Sequence, residues 1–204
     1  MTDLVVIRHG ETDWNRQLRF QGQIDVPLNA AGEEQAQRLA RRLAREKFDA
    51  VLASDLQRAH RTAELAAAKW KLPIQTSPLW REQAFGILEG LDGPSIRAKL
   101  PDLWAAWRRH EADYALPDGG ESVRSFHARV NQALAATVKA FPGQRVAVFS
   151  HGGVLDMLWR TAHELPLDGE RECPIPNTGI NELRWKDGLL TVLRWADDEH
   201  LRKR

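Results

Sequence analysis

The sequence is short of the features that mark secreted and membrane proteins. Its 204 residues include one cysteine, Cys173, so no disulfide can form within the chain. No apolar run approaches the length of a membrane span, and the start, MTDLVVIRHG, has neither a basic segment nor an apolar core of signal-peptide length. We therefore expect a cytoplasmic protein with no membrane partner.

An excess of charge of one sign is also missing. Lys and Arg total 29 and Asp and Glu total 28, which leaves a net charge of +1. So small a net charge gives no overall field to hold nucleic acid, so we expect no nucleic-acid partner, and any anion site must be local. With 43% hydrophobic and 28% charged residues the composition is typical of a globular protein, and the length favours one compact domain over residues 1–204. The oligomeric state is left open, with a homodimer as one alternative.

Short apolar runs alternate along the chain with stretches of helical periodicity. The runs lie at residues 4–7, 49–53, 72–76 and 145–149. Apolar residues at helical spacing occupy 31–47 and the stretches that follow Ser54, Ser122 and His151, and Ser54 and Ser122 are predicted N-caps. This alternation predicts the α/β class, a three-layer α/β/α sandwich with a mostly parallel sheet.

Two regions depart from that alternation. Residues 180–185 and 189–195 flank Asp187 and Gly188, a signal for a hairpin, which we expect at an antiparallel C-terminal edge of the sheet. Residues 91–118 are interrupted by glycine and proline and contain one short helical pattern at 102–111. We expect 91–118 to form an inserted cover over the active site.

Cationic side chains follow three of the predicted strands. Arg8 and His9 end the first strand, Arg58 lies one turn into the helix after the second, and His151 and Gly152 follow the fourth. The carboxyl ends of parallel strands meet at one edge of a sheet, where helix N-termini also point. Arginine matches phosphate oxygens with a planar fork, histidine can act as a nucleophile, and glycine lets the backbone approach an anion. The sequence therefore predicts a phosphate site at this edge.

Several other chemistries lack their motifs. H-x-H, H-E-x-x-H and C-x-x-C are missing, so we expect no metal site, and we expect no cofactor. The stretch Ser150-His151-Gly152-Gly153 does not fit the G-x-S-x-G elbow of serine hydrolases. There is no G-x-x-x-x-G-K-[ST] loop for a nucleoside triphosphate.

The motifs LVVIRHGETDWN, SDLQRAHRTAE, WREQAFGILEG, PDGGES and FSHGGVL resemble, in order, those of the histidine phosphatase superfamily. The resemblance implies that His9 is a nucleophile that becomes phosphorylated and that Glu82 is the acid and base. It places Arg8, Asn15, Arg58 and His151 in the phosphate pocket and Gln21 and Gly22 along the substrate. In that chemistry one nitrogen of His9 is unprotonated, the other donates to a backbone carbonyl, and a protonated His151 helps Arg8 and Arg58 to stabilise the phosphoryl oxygens.

The superfamily includes phosphomonoesterases and cofactor-dependent phosphoglycerate mutases. FGILEGLDG lacks the lysine of the typical mutase motif Y-G-x-L-x-G-L-N-K, and SHGGVLD departs from A-H-G-N-S-L-R. Both differences favour a metal-independent phosphatase for small phosphomonoesters, although Arg108 and Arg109 resemble the W-R-R by which mutases hold a substrate carboxylate. A mutase is the first alternative, and an inactive phosphate-binding module is the second.

Overall fold

A six-stranded sheet forms the centre of the protein, which a computed structural model describes over residues 1–202. The strands are β1 (Thr2–Arg8), β2 (Ala50–Ala53), β3 (Ile74–Thr76), β4 (Arg145–Ser150), β5 (Ile180–Lys186) and β6 (Leu189–Asp197). Their order is β3-β2-β4-β1-β5-β6. The first four are parallel, whereas β5 runs antiparallel beside β1 and pairs with β6. The predicted parallel sheet with an antiparallel C-terminal edge is confirmed.

Helices cover both faces of this sheet. They are α1 (Asp13–Arg16), α2 (Ala30–Arg42), α3 (Gln57–Ala67), α4 (Gly93–Lys99), α5 (Pro101–Arg108), α6 (Val123–Ala140) and α7 (Gly152–His163). Helices α6 and α7 pack on the face that carries Leu4 and Val6 of β1, and α2 and α3 on the face that carries Val5 and Ile7. Because side chains alternate along a strand, β1 supplies both cores, which explains its unbroken apolar run. No helix within residues 1–202 is long and apolar enough to span a bilayer.

The helix starts and ends show where local sequence signals were sufficient. Ser122 caps α6 as predicted, because its side chain accepts the Ser125 N–H. Ser54 does not cap α3: the helix begins three residues later, and the N–H of Gln57 donates to Asp25, a residue distant in sequence. The helix predicted over 31–47 ends at Arg42, since the chain turns after it.

Residues 91–118 hold two short helices, α4 and α5, of which the sequence predicted the second. They surround a small separate core of Leu88, Ile96 and Leu116. The indole of Trp107 packs edge-on against Phe20, with ring centroids 5.1 Å apart. Through this contact the segment supports one wall of the cavity described next.

Candidate active site

A cavity of about 450 Å³ opens at the carboxyl ends of the parallel strands. Its lining residues are Arg8, His9, Trp14, Asn15, Leu18, Arg19, Phe20, Gln21, Gly22, Arg58, Glu82, Phe85, Gly152, Arg171 and Asn177. The parallel pairing of β1 with β4 sets Arg8 opposite Ser150, so the chain leaves the two strands at the same level. His9 and His151 therefore lie side by side, with ring centroids 5.3 Å apart.

His9 is held in one tautomer by the backbone. Its Nδ1 lies 2.7 Å from the carbonyl oxygen of Gly10, which can only accept, so Nδ1 carries the proton and Nε2 has a free lone pair. Burial, followed by the charges of Arg58 and Arg8, holds the pKa of His9 well below its usual range. The ring is therefore neutral in the ligand-free site, as a nucleophile requires.

Arg8 and Arg58 are oriented by carbonyl groups. Arg8 donates to the oxygen of Ile175, and Arg58 donates to those of Gly22 and Ile24 at 2.7 and 2.9 Å. Among residues 1–202, the Nε of each arginine has no hydrogen-bond partner. Burial lowers the pKa of each guanidinium to about 10, so both stay charged at neutral pH. Two fixed cations with unused donors suit a phosphate dianion.

His151 is fully buried beside these cations. Burial is the largest cause that holds its pKa well below the usual range, and Arg58 is the next. Neither ring nitrogen has a hydrogen-bond partner within the described part of the chain. These causes favour a neutral His151 ring. A phosphate dianion beside the ring would oppose the arginine charges and favour the imidazolium, so the expected protonation of His151 during phosphoryl transfer stays a prediction.

Glu82 lies where α7 begins. Its two carboxylate oxygens accept the backbone N–H groups of Gln83 and Gly153, each at 3.0 Å. The carbonyl of Glu82 accepts from Arg129, which is in turn paired with Glu121 at 2.7 Å. The carboxylate is thus fixed on a wall of the cavity that also contains His9.

Most of the remaining predicted site residues lie at the same cavity. Asn15, Gln21, Gly22 and Gly152 line it. Gly22 has φ +52°, and a Cβ there would lie 1.9 Å from the carboxylate of Glu89, so the position requires glycine.

Arg108 and Arg109 do not line the cavity. The guanidinium of Arg108 lies 3.4 Å from Glu170, and that of Arg109 lies 2.6 Å from Glu111. Both side chains are about half exposed at the end of α5. The two arginines that the W-R-R resemblance assigned to a substrate carboxylate therefore lie outside the cavity.

The sequence analysis missed two cations that line the cavity, Arg19 and Arg171, and several of its other lining residues. Arg171 belongs to the loop between α7 and β5, which has no periodicity and follows no strand. Asn177, whose side chain donates to the carbonyl of His9, comes from the same loop. Leu18 is 81% exposed at the rim, so the cavity is open to solvent there. No three His, Cys, Asp or Glu side chains of residues 1–202 are grouped so as to hold a metal ion.

Comparisons with known proteins agree in sequence and in fold. A family model described as histidine phosphatase superfamily (branch 1) matches residues 4–198. Phosphoglycerate mutase-like protein 4 of Arabidopsis thaliana is 39% identical over 202 residues, which are 98% of this chain and 86% of that protein. A metal-independent phosphoserine phosphatase of the same plant is 34% identical over 203 residues, which are 98% of this chain and 84% of that protein. The structure of Bacillus stearothermophilus YhfR has a TM-score of 0.92 at 30% identity, over 99% of this chain and 100% of the other.

Proposed function

Because the chain belongs to the histidine phosphatase superfamily, we propose that it is a metal-independent phosphomonoester hydrolase that works through a phosphohistidine at His9. The observation that carries the proposal is the state of His9. Its Nδ1–H is bound to a carbonyl, so its Nε2 lone pair is available at a cavity walled by Arg8 and Arg58. A nucleophile beside fixed cations is the arrangement that phosphoryl transfer requires.

In the first step Nε2 of His9 attacks phosphorus, and the bond from phosphorus to the ester oxygen breaks. Glu82, in its protonated form, gives its proton to the departing alkoxide. Arg8, Arg58 and His151 contact the equatorial oxygens, where charge is greatest in the transition state. The products are phosphohistidine and an alcohol.

In the second step a water molecule attacks the phosphohistidine. The Glu82 carboxylate takes the proton of that water, the bond from phosphorus to Nε2 breaks, and inorganic phosphate forms. The N–H groups of Gln83 and Gly153 keep the carboxylate in one place for both proton transfers. Glu82 ends the cycle protonated, ready for the next ester.

The open rim of the cavity at Leu18 favours hydrolysis over isomerisation of a phosphoglycerate, because it admits water to the phosphoenzyme. The position that matches the mutase lysine is Gly93, the first residue of α4, and Arg108 and Arg109 lie outside the cavity. The mutase stays the alternative because a relative is named phosphoglycerate mutase-like. An inactive binding module is disfavoured by the presence of both His9 and Glu82.

The substrate class in this proposal is small phosphorylated metabolites, in keeping with a relative named for phosphoserine. Residues 91–118 would cover the leaving group, since Trp107 supports the cavity wall through Phe20. A cytoplasmic location remains part of the proposal.

Phosphate release from a panel of phosphomonoesters, together with trapping of labelled phosphate on the protein, tests this function. We expect phosphate release to continue with chelator present, and labelled phosphate to be trapped on His9. A His9→Ala variant should fold and bind the phosphomonoester, but it should neither trap labelled phosphate nor release phosphate. With 2-phosphoglycerate, release of inorganic phosphate should exceed isomerisation. Isomerisation as the main reaction would establish the mutase. Turnover by His9→Ala at the wild-type rate would exclude a phosphohistidine intermediate at His9.

A further inference from the structure

Arg171 lies at the boundary between two cavities. It lines the cavity of His9 and also a second one of about 290 Å³, whose walls include Phe85, Trp107 and Met157. Glu82 borders both cavities as well. Because Glu82 is the proposed acid for the leaving oxygen, the boundary is on the side where the leaving group must lie.

The first turn of α7 fixes how close these groups are. A Cβ built on Gly152 would lie 3.5 Å from Nε of Arg8 and 3.7 Å from Nη1 of Arg171. A Cβ on the next residue, Gly153, would meet the carboxylate of Glu82. Arg8 and Arg171 therefore both lie beside Gly152, and the carboxylate of Glu82 lies beside the next residue of the helix, Gly153.

The guanidinium of Arg171 has little to neutralise it. Within residues 1–202 the one carboxylate within 4.0 Å is that of Asp156, at the full 4.0 Å, which is too long for a hydrogen bond. The same oxygen of Asp156 lies closer to Arg160, at 3.4 Å. The side chain of Arg171 is 45% exposed, so a ligand can reach it. After burial, Arg171 is the largest cause that lowers the pKa of Arg8, as expected for two neighbouring cations.

The loop that carries Arg171 is nevertheless held firmly. The buried guanidinium of Arg160 donates to four backbone carbonyls of this loop, those of Pro166, Asp168, Gly169 and Glu170. The carboxylate of Asp168 accepts the N–H of Ala112, which ties the loop to residues 91–118. A cation on a fixed loop loses little conformational freedom when it binds.

We infer that Arg171 selects substrates by binding a carboxylate on the leaving group of the phosphomonoester. This inference rests on the proposed function and names its substrate class: phosphate esters of hydroxy acids and hydroxy amino acids. It also gives the carboxylate a partner on the loop before β5, in place of Arg108 and Arg109, which lie outside the cavity. Arg171 acts on specificity and takes no part in moving protons.

Two esters that differ only at the relevant group test this inference. 3-Phosphoglycerate has a carboxylate where glycerol 3-phosphate has a hydroxymethyl group. For Arg171→Gln we expect the ratio of kcat/KM for these two esters to fall about 10- to 100-fold, the value of one charge-assisted hydrogen bond. Arg171→Lys should recover part of the ratio, because it keeps the charge and loses the planar fork.

Arg19 supplies a matched control, since it is a second cation at the same cavity. Arg19→Gln should change kcat/KM for both esters by the same factor. A ratio that stays at its wild-type value in Arg171→Gln, or moves as far in Arg19→Gln, would overturn the inference. So would a wild-type protein that hydrolyses p-nitrophenyl phosphate and shows no preference for the carboxylate ester.

A binding measurement separates this inference from the proposed function. In the His9→Ala background, calorimetry with each ester should show tighter binding of 3-phosphoglycerate, and Arg171→Gln should remove the difference. If the wild-type protein forms no phosphohistidine and this binding preference is present, the proposed function fails and the role of Arg171 stands. If turnover is normal and the binding preference is missing, the proposed function stands and the role of Arg171 fails.

Discussion

Gly153→Ala is expected to displace the proposed acid while leaving the fold in place. A Cβ at this position would lie 2.2 Å from Oε1 of Glu82, and ordinary contact begins at 3.4 Å. The carboxylate must therefore retreat by more than 1 Å, because the backbone of α7 is fixed and the side chain is the part that can move. Its hydrogen bond from the N–H of Gly153 is lost in the same movement.

The expected loss in kcat/KM toward an alkyl phosphate is about 100-fold, the effect of a misplacement of about 1 Å in a catalytic geometry. This corresponds to about 2.7 kcal/mol of transition-state stabilisation. The free energy of unfolding should change by less than about 1 kcal/mol, since alanine is the better helix former and offsets the contact with the Phe126 ring.

A double-mutant cycle with Glu82→Gln identifies the cause. If Gly153→Ala acts by moving the carboxylate, it should cost little in a protein that already lacks the carboxylate, so the two losses will not multiply. Steady-state kinetics with glycerol 3-phosphate and thermal melts of the four proteins provide the data. Wild-type kcat/KM in Gly153→Ala, or full multiplication of the two losses, would refute the placement of Glu82 as the acid.

Three further outcomes are expected. Glu82→Gln should abolish turnover of alkyl phosphates but retain a burst of nitrophenol from p-nitrophenyl phosphate, whose leaving group needs no proton; equal burst-phase losses for both ester types would contradict this role. Activity should persist with chelator present, and vanadate added without chelator should inhibit by occupying the site of Arg8 and Arg58; activity that disappears with chelator and returns with a divalent metal would exclude the mechanism. The lowered pKa values of His9 and His151 mean that the unfolded chain takes up protons first as pH falls through about 6.5, so ligand-free stability is complete above that pH and is lost below it. In chemical denaturation between pH 7 and 5, His151→Gln should reduce the dependence on pH by up to about 1.4 kcal/mol per unit, and an unchanged slope would count against a neutral buried His151.

The part of the site that follows the strands could be predicted from sequence. Arg8, His9 and His151 end apolar runs, and parallel pairing places the ends of such runs together. Arg58 is the second residue of α3, which starts at the same edge, although the sequence predicted it one turn into the helix. These positions depend on local periodicity and on one general property of sheets, both of which a single sequence carries.

The rest depends on contacts between segments that are distant along the chain. Glu82 follows a short 3-10 turn at Pro78–Trp80, and only the family resemblance singled it out. Hydrogen bonds from Arg160 to the loop hold Arg171 at the cavity, and no sequence pattern in the loop predicts these bonds. Helix α3 begins where Asp25 meets Gln57, a contact across 32 positions that replaced the expected cap at Ser54.

The fixing of the loop by Arg160 also bears on how such an enzyme can diversify. Arg8 and His9, the groups proposed to act on the phosphate, stand at the end of strand β1, whereas the part of the wall proposed to meet the leaving group is a loop held to one neighbouring segment. Substitutions in that wall alter which alcohol fits and leave the strands and their register untouched. Substrate preference can therefore change through this loop alone, while the groups proposed to break the ester bond keep their positions.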